Sequence, residues 1–177
     1  RFRSAADATH LRVAAGKAFL VLVRSAPSFV PPDLFVSTAL LVKESPAEMI
    51  GKLEHGITKH GLPQTFAAPL ALCAVGHDSV TRKTAADALA SIFSSLRRRS
   101  AEFRERYAST MDAAVLNRTA LTQSAEYTLP YLVFLLAHHP DLPSKETGAA
   151  NKGVAYRPFQ QMLSFLVGTL TAGSRQC

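Results

Sequence analysis

Apolar residues recur along this chain at helical spacing, near 3.6 residues per turn, rather than at the alternation of a strand. Leu11, Ala14, Ala15, Ala18, Phe19 and Leu22 fall on one face of a first helix, and Leu20, Val21 and Val23 give it a second apolar face. Pro27, Pro31 and Pro32 end that helix and begin another, which carries Leu34, Phe35, Ala39, Leu40, Leu41 and Val42 and is apolar nearly all round. Ser45-Pro46 reads as an N-cap and first helical residue, with Glu48 in the first turn. The stripe of that helix is Met49, Ile50, Leu53 and Ile57, and Gly61 stops it.

Pro63 opens the next helix, through Phe66, Leu70, Leu72 and Cys73, with a kink predicted at Pro69 and closure at Gly76. Asp78 or Ser79 caps a helix with Ala85, Ala86, Leu89, Ile92, Phe93 and Leu96 on one face and Arg97, Arg98 and Arg99 at its end. A more polar helix from about 101 to 111 follows. The stretch from about 121 to 138 reads as one apolar helix kinked at Pro130. Residues 143–156 lack periodicity, contain Gly148 and Gly153 and are expected to form a loop. Met162, Leu163, Leu166, Val167 and Leu170 mark a last helix before Gly173. No strand is predicted. The expectation is seven to nine helices in one segment over residues 1–177, roughly four to five stacked helix pairs. Helices apolar on wide faces suit stacking, because no single pair buries its own surface.

Composition narrows the function. Hydrophobic residues make up 47% of the 177 and charged residues only 19%, which fits a packed core and not a disordered chain. The start on Arg1 in place of Met suggests a piece of a longer protein. Twenty Lys and Arg against thirteen Asp and Glu give +7, which favours acidic protein surfaces, phosphorylated segments or nucleic acid. Two distant cysteines, Cys73 and Cys177, do not form a disulfide framework and point to a reducing compartment. The longest apolar run, Leu129 to Ala137, is half the ~20 residues a bilayer requires, so no membrane span is expected.

The sequence also repeats weakly, at about 35 residues. Residues 11–20, LRVAAGKAFL, align with residues 81–90, TRKTAADALA, two periods on, and Ser45 to Leu53 lies between them. The shared shape is a capping or acidic residue, a basic one, small residues and a large apolar one. It resembles the first helix of a HEAT repeat, and residues 77–82, HDSVTR, resemble its opening turn. Glu126-Tyr127-Thr128-Leu129-Pro130-Tyr131, followed by Leu135-Leu136-Ala137-His138-His139-Pro140-Asp141, resembles a segment of the cohesin-associated HEAT proteins called precocious dissociation of sisters protein 5. Phe66 to Leu89 is similar to the preceding repeat of that family. His139 stands where the family usually has an acidic residue.

The resemblance implies an all-α HEAT-repeat solenoid from the C-terminal part of the array. It also implies a nuclear, chromosome-associated and non-enzymatic role in sister-chromatid cohesion. The partners implied are cohesin subunits, the kleisin in particular, and cohesin regulators. The alternative is a HEAT scaffold of another chromosome-associated or nuclear transport complex that binds nucleic acid or acidic protein segments.

Site chemistry is sparse. No Gly-rich phosphate loop, nucleophile elbow or carboxylate pair is present, so no catalytic residue or cofactor is expected. The six histidines have no ligand spacing, and His55 and His60, five apart, would occupy different faces of one helix. Cys73 in an apolar run reads as an inert core thiol. A base-flipping enzyme is disfavoured by the lack of Trp. The basic residues Arg97, Arg98, Arg99, Arg104 and Arg106 form the partner-binding candidate. If three end one helix and two begin the next, they share an edge and could contact an acidic segment or DNA; otherwise they are a solvated helix end. Tyr127, Tyr131 and Phe134 share a helical face, which is either inter-repeat core or one wall of a peptide groove.

Overall fold

The computed structural model describes residues 5–26, 30–143 and 149–174. Within them the regular elements are all helical: α1 (Ala5–Ser25), α2 (Pro32–Glu44), α3 (Pro46–Lys59), a 3₁₀ helix (Gln64–Ala74), α4 (Ser79–Tyr107), α5 (Ala113–Thr122), a 3₁₀ turn (Ala125–Tyr127), α6 (Thr128–Ala137) and α7 (Ala149–Ser174). The helices form two rows. In one, α3 packs on α4 and α4 on α7; in the other, the 3₁₀ helix lies between α2 and α6. α1 packs on α2 and reaches α3 through polar side chains. No described helix is long and apolar enough to cross a membrane.

The 3₁₀ helix Gln64–Ala74 is the hub. It packs against α2, α3, α4, α6 and α7, and every residue from Phe66 to Cys73 is buried. An α-helix with a kink was predicted here. Pro69 sits in mid-helix and has no N–H to give. The eleven residues instead wind in the tighter 3₁₀ form, at about 2.0 Å per residue against about 1.5 Å for an α-helix. The segment therefore spans about 22 Å in place of about 17 Å, and side chains meet neighbours on all sides.

Local signals set most of the helix ends. The Asp78 carboxylate caps α4 by accepting from the Thr81 N–H at 2.6 Å. Asp112 caps α5 by accepting from Ala114 and Val115 at 2.8 and 3.3 Å. Gly61 and Gly76 take left-handed φ values of +71° and +81°, where the chain turns after α3 and after the 3₁₀ helix. Pro32 and Pro46 stand in the first turns of α2 and α3, as predicted.

Four further expectations about helix faces and bounds differ from the structure. First, α1 buries Val13, Gly16, Leu20 and Val23, not the Leu11–Leu22 stripe; Leu11 and Leu22 are exposed. Both stripes are apolar, but only the first contains Gly16. A Cβ there would stand 2.3 Å from the Leu41 side chain, so α2 docks where α1 has no side chain. Second, α4 runs unbroken through Tyr107, because nothing from Arg97 to Tyr107 interrupts a helix. Third, the helix expected over 121–138 is divided. The break lies at residues 123–127, upstream of Pro130, which occupies the first turn of α6, where the missing N–H has no intrahelical partner to lose. Fourth, α7 begins at Ala149, inside the segment predicted as a loop over 143–156; residues 144–148 of that segment lie outside the described residues.

Leu89, Ile92 and Phe93 on α4 are fully enclosed, as predicted. Replacing Phe93 by Ala should therefore cost about 3–5 kcal/mol of unfolding free energy. Urea denaturation measures it, and a loss below about 1 kcal/mol would mean that this face is not enclosed.

The α6–α7 corner yields a pH prediction. His139 is buried, its ring 5.6 Å from that of Phe159, and its Nδ1 accepts from the Asp141 N–H at 3.1 Å. Burial lowers its pKa, the nearby Lys43 ammonium adds to that, and Asp141 opposes it. The folded state thus favours the neutral ring, while the unfolded chain takes up a proton near pH 6.5. Stability is full above that pH and falls as pH drops from about 6.5 toward the lower folded value. His139→Gln should flatten this part of the decline. Denaturation midpoints between pH 7.5 and 5.5 test it; parallel curves for the two proteins would contradict it.

Candidate partner-binding surfaces

The arginines of α4 are not one edge. Successive helical residues point about 100° apart, so Arg97 and Arg104 share one face and Arg99 and Arg106 share another on nearly the opposite side. Arg97 Nη2 donates to the Leu170 carbonyl at 2.6 Å, near the end of α7, and lies 3.3 Å from Glu126 Oε1. Arg99 Nη2 donates to the Ile57 carbonyl at 2.5 Å, in the last turn of α3, and to Ser95 Oγ at 3.4 Å. Burial, with Arg98 beside it, lowers the Arg99 pKa. Arg97 and Arg99 are thus cross-braces to the two flanking helices, satisfying carbonyls at helix ends. Arg98 is exposed and pairs with Glu102 at 3.4 Å. Arg104 and Arg106 are exposed near the end of α4 and contact no acidic partner among the described residues. Of the five predicted residues, three remain available: Arg98, Arg104 and Arg106.

The aromatic face on α6 does form one wall of an open groove of about 620 Å³. Tyr127, Pro130, Tyr131 and Phe134 line one side, Val30, Pro32 and Phe35 of the α2 end the other, and Pro63 and Thr65 the floor between. The Phe35 and Phe134 rings are 6.3 Å apart and those of Tyr127 and Tyr131 are 5.8 Å apart. Burial raises the pKa of the Tyr131 phenol, with Tyr127 adding to the shift. Phe134 and Tyr131 also pack against the core, so the same rings serve the core with one edge and line the groove with another. The α2 and 3₁₀ contributions were not anticipated. The available signal was a proline at or just before the first turn of each of three helices, Pro32, Pro63 and Pro130, whose starts line the same groove.

The remaining candidates carry little chemistry. Cys73 is buried and its thiol is pushed up to about 11 by burial, which leaves it protonated and unreactive. Cys177 lies outside the described residues. His55 and His60 were expected on different faces, yet their rings lie 4.6 Å apart. His60 is the residue after α3 and leaves helical geometry, with φ −119° and ψ 11°, so it folds back beside His55. No group of three His, Cys, Asp or Glu side chains with metal-holding geometry occurs among the described residues.

Known proteins place this architecture. The family model for the sister chromatid cohesion protein PDS5 matches residues 2–175. Two Xenopus laevis proteins, the sister chromatid cohesion protein PDS5 homologs A-B and A-A, are each 30% identical to this chain over 145 residues. Those alignments cover 78% of the chain and 10% of each relative, so the chain spans a small part of their length. The two-row helical stack is accordingly a segment of a HEAT-repeat solenoid, and the chain belongs to the PDS5 family of sister chromatid cohesion proteins.

Proposed function

We propose that this chain is a non-enzymatic scaffold segment of a nuclear, chromosome-associated cohesion protein, and that it holds extended segments of cohesin subunits, the kleisin among them, or of cohesin regulators. One observation carries the reading: the Tyr127–Tyr131–Phe134 groove, open along three helix starts and lined by rings and prolines. Such a groove fits an extended peptide. Aromatic rings supply large contact area at little entropic cost, and buried ring contacts dominate binding energies. Lys43 near the end of α2 pairs with Asp141, just past α6, at 3.1 Å, which ties the two walls of the groove together.

A second reading concerns the three available arginines. Arg98, Arg104 and Arg106, in a chain of net charge +7, are suited to a carboxylate-rich segment or a nucleic-acid backbone, as a scaffold of another chromosome complex would require.

Overlapping peptides that tile the kleisin and the cohesin regulators, titrated against the purified chain, test both readings at once. The groove reading expects one or more peptides to bind, and Tyr131→Ala to weaken them at least tenfold, about 1.4 kcal/mol. The arginine reading expects Arg98→Glu, Arg104→Glu and Arg106→Glu together to weaken an acidic peptide or a DNA duplex tenfold at low salt and to flatten its salt dependence. Arg97 and Arg99 are left intact because reversing them would remove the braces. If no tiled peptide binds, or if Tyr131→Ala leaves affinity unchanged, the groove is not the partner site.

A further inference from the structure

The groove between α2 and α6 has a chemistry that selects among the ways a peptide can bind. None of the residues that line it is charged, and its surface is mostly rings and prolines. It also offers many donors and few acceptors. Asp78 and Asp112 cap α4 and α5, but Pro31 and Pro63, at the starts of α2 and the 3₁₀ helix, give no side-chain cap. The N–H groups of Asp33, Leu34, Gln64 and Thr65 have no hydrogen-bond partner among the described residues. Such first-turn groups point out of the helix start, here at the open end of the groove. The hydroxyls of Thr65, Tyr127 and Tyr131 are further donors, and no carboxylate or side-chain amide lines the groove.

Peptides dock on proteins mainly as an added strand, as a helix in a groove or as a polyproline II segment. An added strand needs a sheet edge, and the elements on both sides of this groove are helices. A docked helix uses anchors spread over about two turns. The helical part of the α2 wall, Pro32 to Phe35, is shorter than one turn, about 4.5 Å at ~1.5 Å per residue. The Phe35 and Phe134 rings, with centres 6.3 Å apart, meet across its inner end. A ligand helix would thus be walled on both sides for less than a turn. A polyproline II segment needs no partner strand, and its backbone has no internal hydrogen bonds, so its carbonyls are free to accept. Its prolines bring carbonyls without N–H groups, which suits a surface rich in donors. Their rings are apolar and their backbone is preset, so they stack on tyrosine and phenylalanine at little cost in entropy.

We propose that the groove binds an uncharged, proline-containing segment in the polyproline II form, with prolines three positions apart. Three residues make one turn of that helix, so prolines at this spacing share the face that meets the rings. The proposal rests on the groove reading given above and adds the chemistry of its occupant.

The test exposes the immobilised chain to pools of nonapeptides and identifies the retained ones by mass spectrometry. One pool has two prolines three positions apart among random uncharged residues, a second has them four apart, and a third has alanine in their place. The first pool should be retained about tenfold over each of the others. Tyr127→Phe with Tyr131→Phe keeps both rings, and so the packing, but removes two donors. It should weaken the best retained peptide about tenfold, measured by anisotropy. Equal retention of the three pools would overturn the proposal, and so would unchanged affinity in the double variant. If the pools are retained equally while a tiled kleisin or regulator peptide binds and is weakened by Tyr131→Ala, the groove is a peptide site with no preference for proline. If neither pools nor tiled peptides bind, the groove reading falls together with the proposal.

Discussion

The arrangement depends on one constraint: a helix with no polar side must be covered from every direction. Phe66 to Cys73 are all buried, and the 3₁₀ helix that holds them contains no charged residue. Such a segment has no stable surface position in water. Burying a Leu or Phe side chain is worth about 1.5–3 kcal/mol, and the hub presents Phe66, Leu70 and Leu72 to five surrounding helices at once. The two rows follow from this. Each neighbour contributes one apolar stripe to the hub and keeps its other faces for the next helix or for solvent.

Once the hub has gathered the helices, polar side chains fix their relative position. The C-terminal end of α3 is held from both flanks, by Arg24 of α1 at the His60 carbonyl and by Arg99 of α4 at the Ile57 carbonyl. Arg97 does the same for α7. Arg24 and Arg99 satisfy carbonyls that the end of α3 leaves without partners, Arg97 adds a second bond to a carbonyl in the last turns of α7, and the charge of all three suits the negative end of a helix dipole. The same side chains would serve an external anion if the helix ends were farther away. Bracing and binding therefore compete for the basic residues, and the structure divides them: Arg97 and Arg99 brace, while Arg98, Arg104 and Arg106 stay on the surface.

Much of this was legible in the residues. The helical class, the Asp78 cap, the Pro46 start, the Gly61 and Gly76 stops and the enclosed Leu89–Phe93 face all rest on local rules, and the local rules held. The errors arose where two local readings were equally good. α1 has two apolar stripes, and the choice between them is made by the Leu41 side chain filling the space at Gly16, a tertiary fact. The run of arginines looks like a helix end because cations favour one, but no residue there breaks the helix. Pro130 signals either a kink or a start; the buried Ser124 and Ala125 just before it decide for a start. The PDS5 resemblance carried by Tyr127 to Asp141 agrees with the family match. The wall of the groove supplied by α6 was visible as a face of rings, whereas its α2 side needed the fold to bring Phe35 across.

Native-state hydrogen exchange tests the central role of the hub most directly. If the 3₁₀ helix organises the stack, the amides of Leu70 to Cys73 and of Leu89 to Phe93 should exchange only through global unfolding, with one shared free energy equal to that from urea denaturation. Faster exchange of the hub amides than of α4, by local opening well below the global free energy, would contradict the account, because the surrounding helices would then be stable without it.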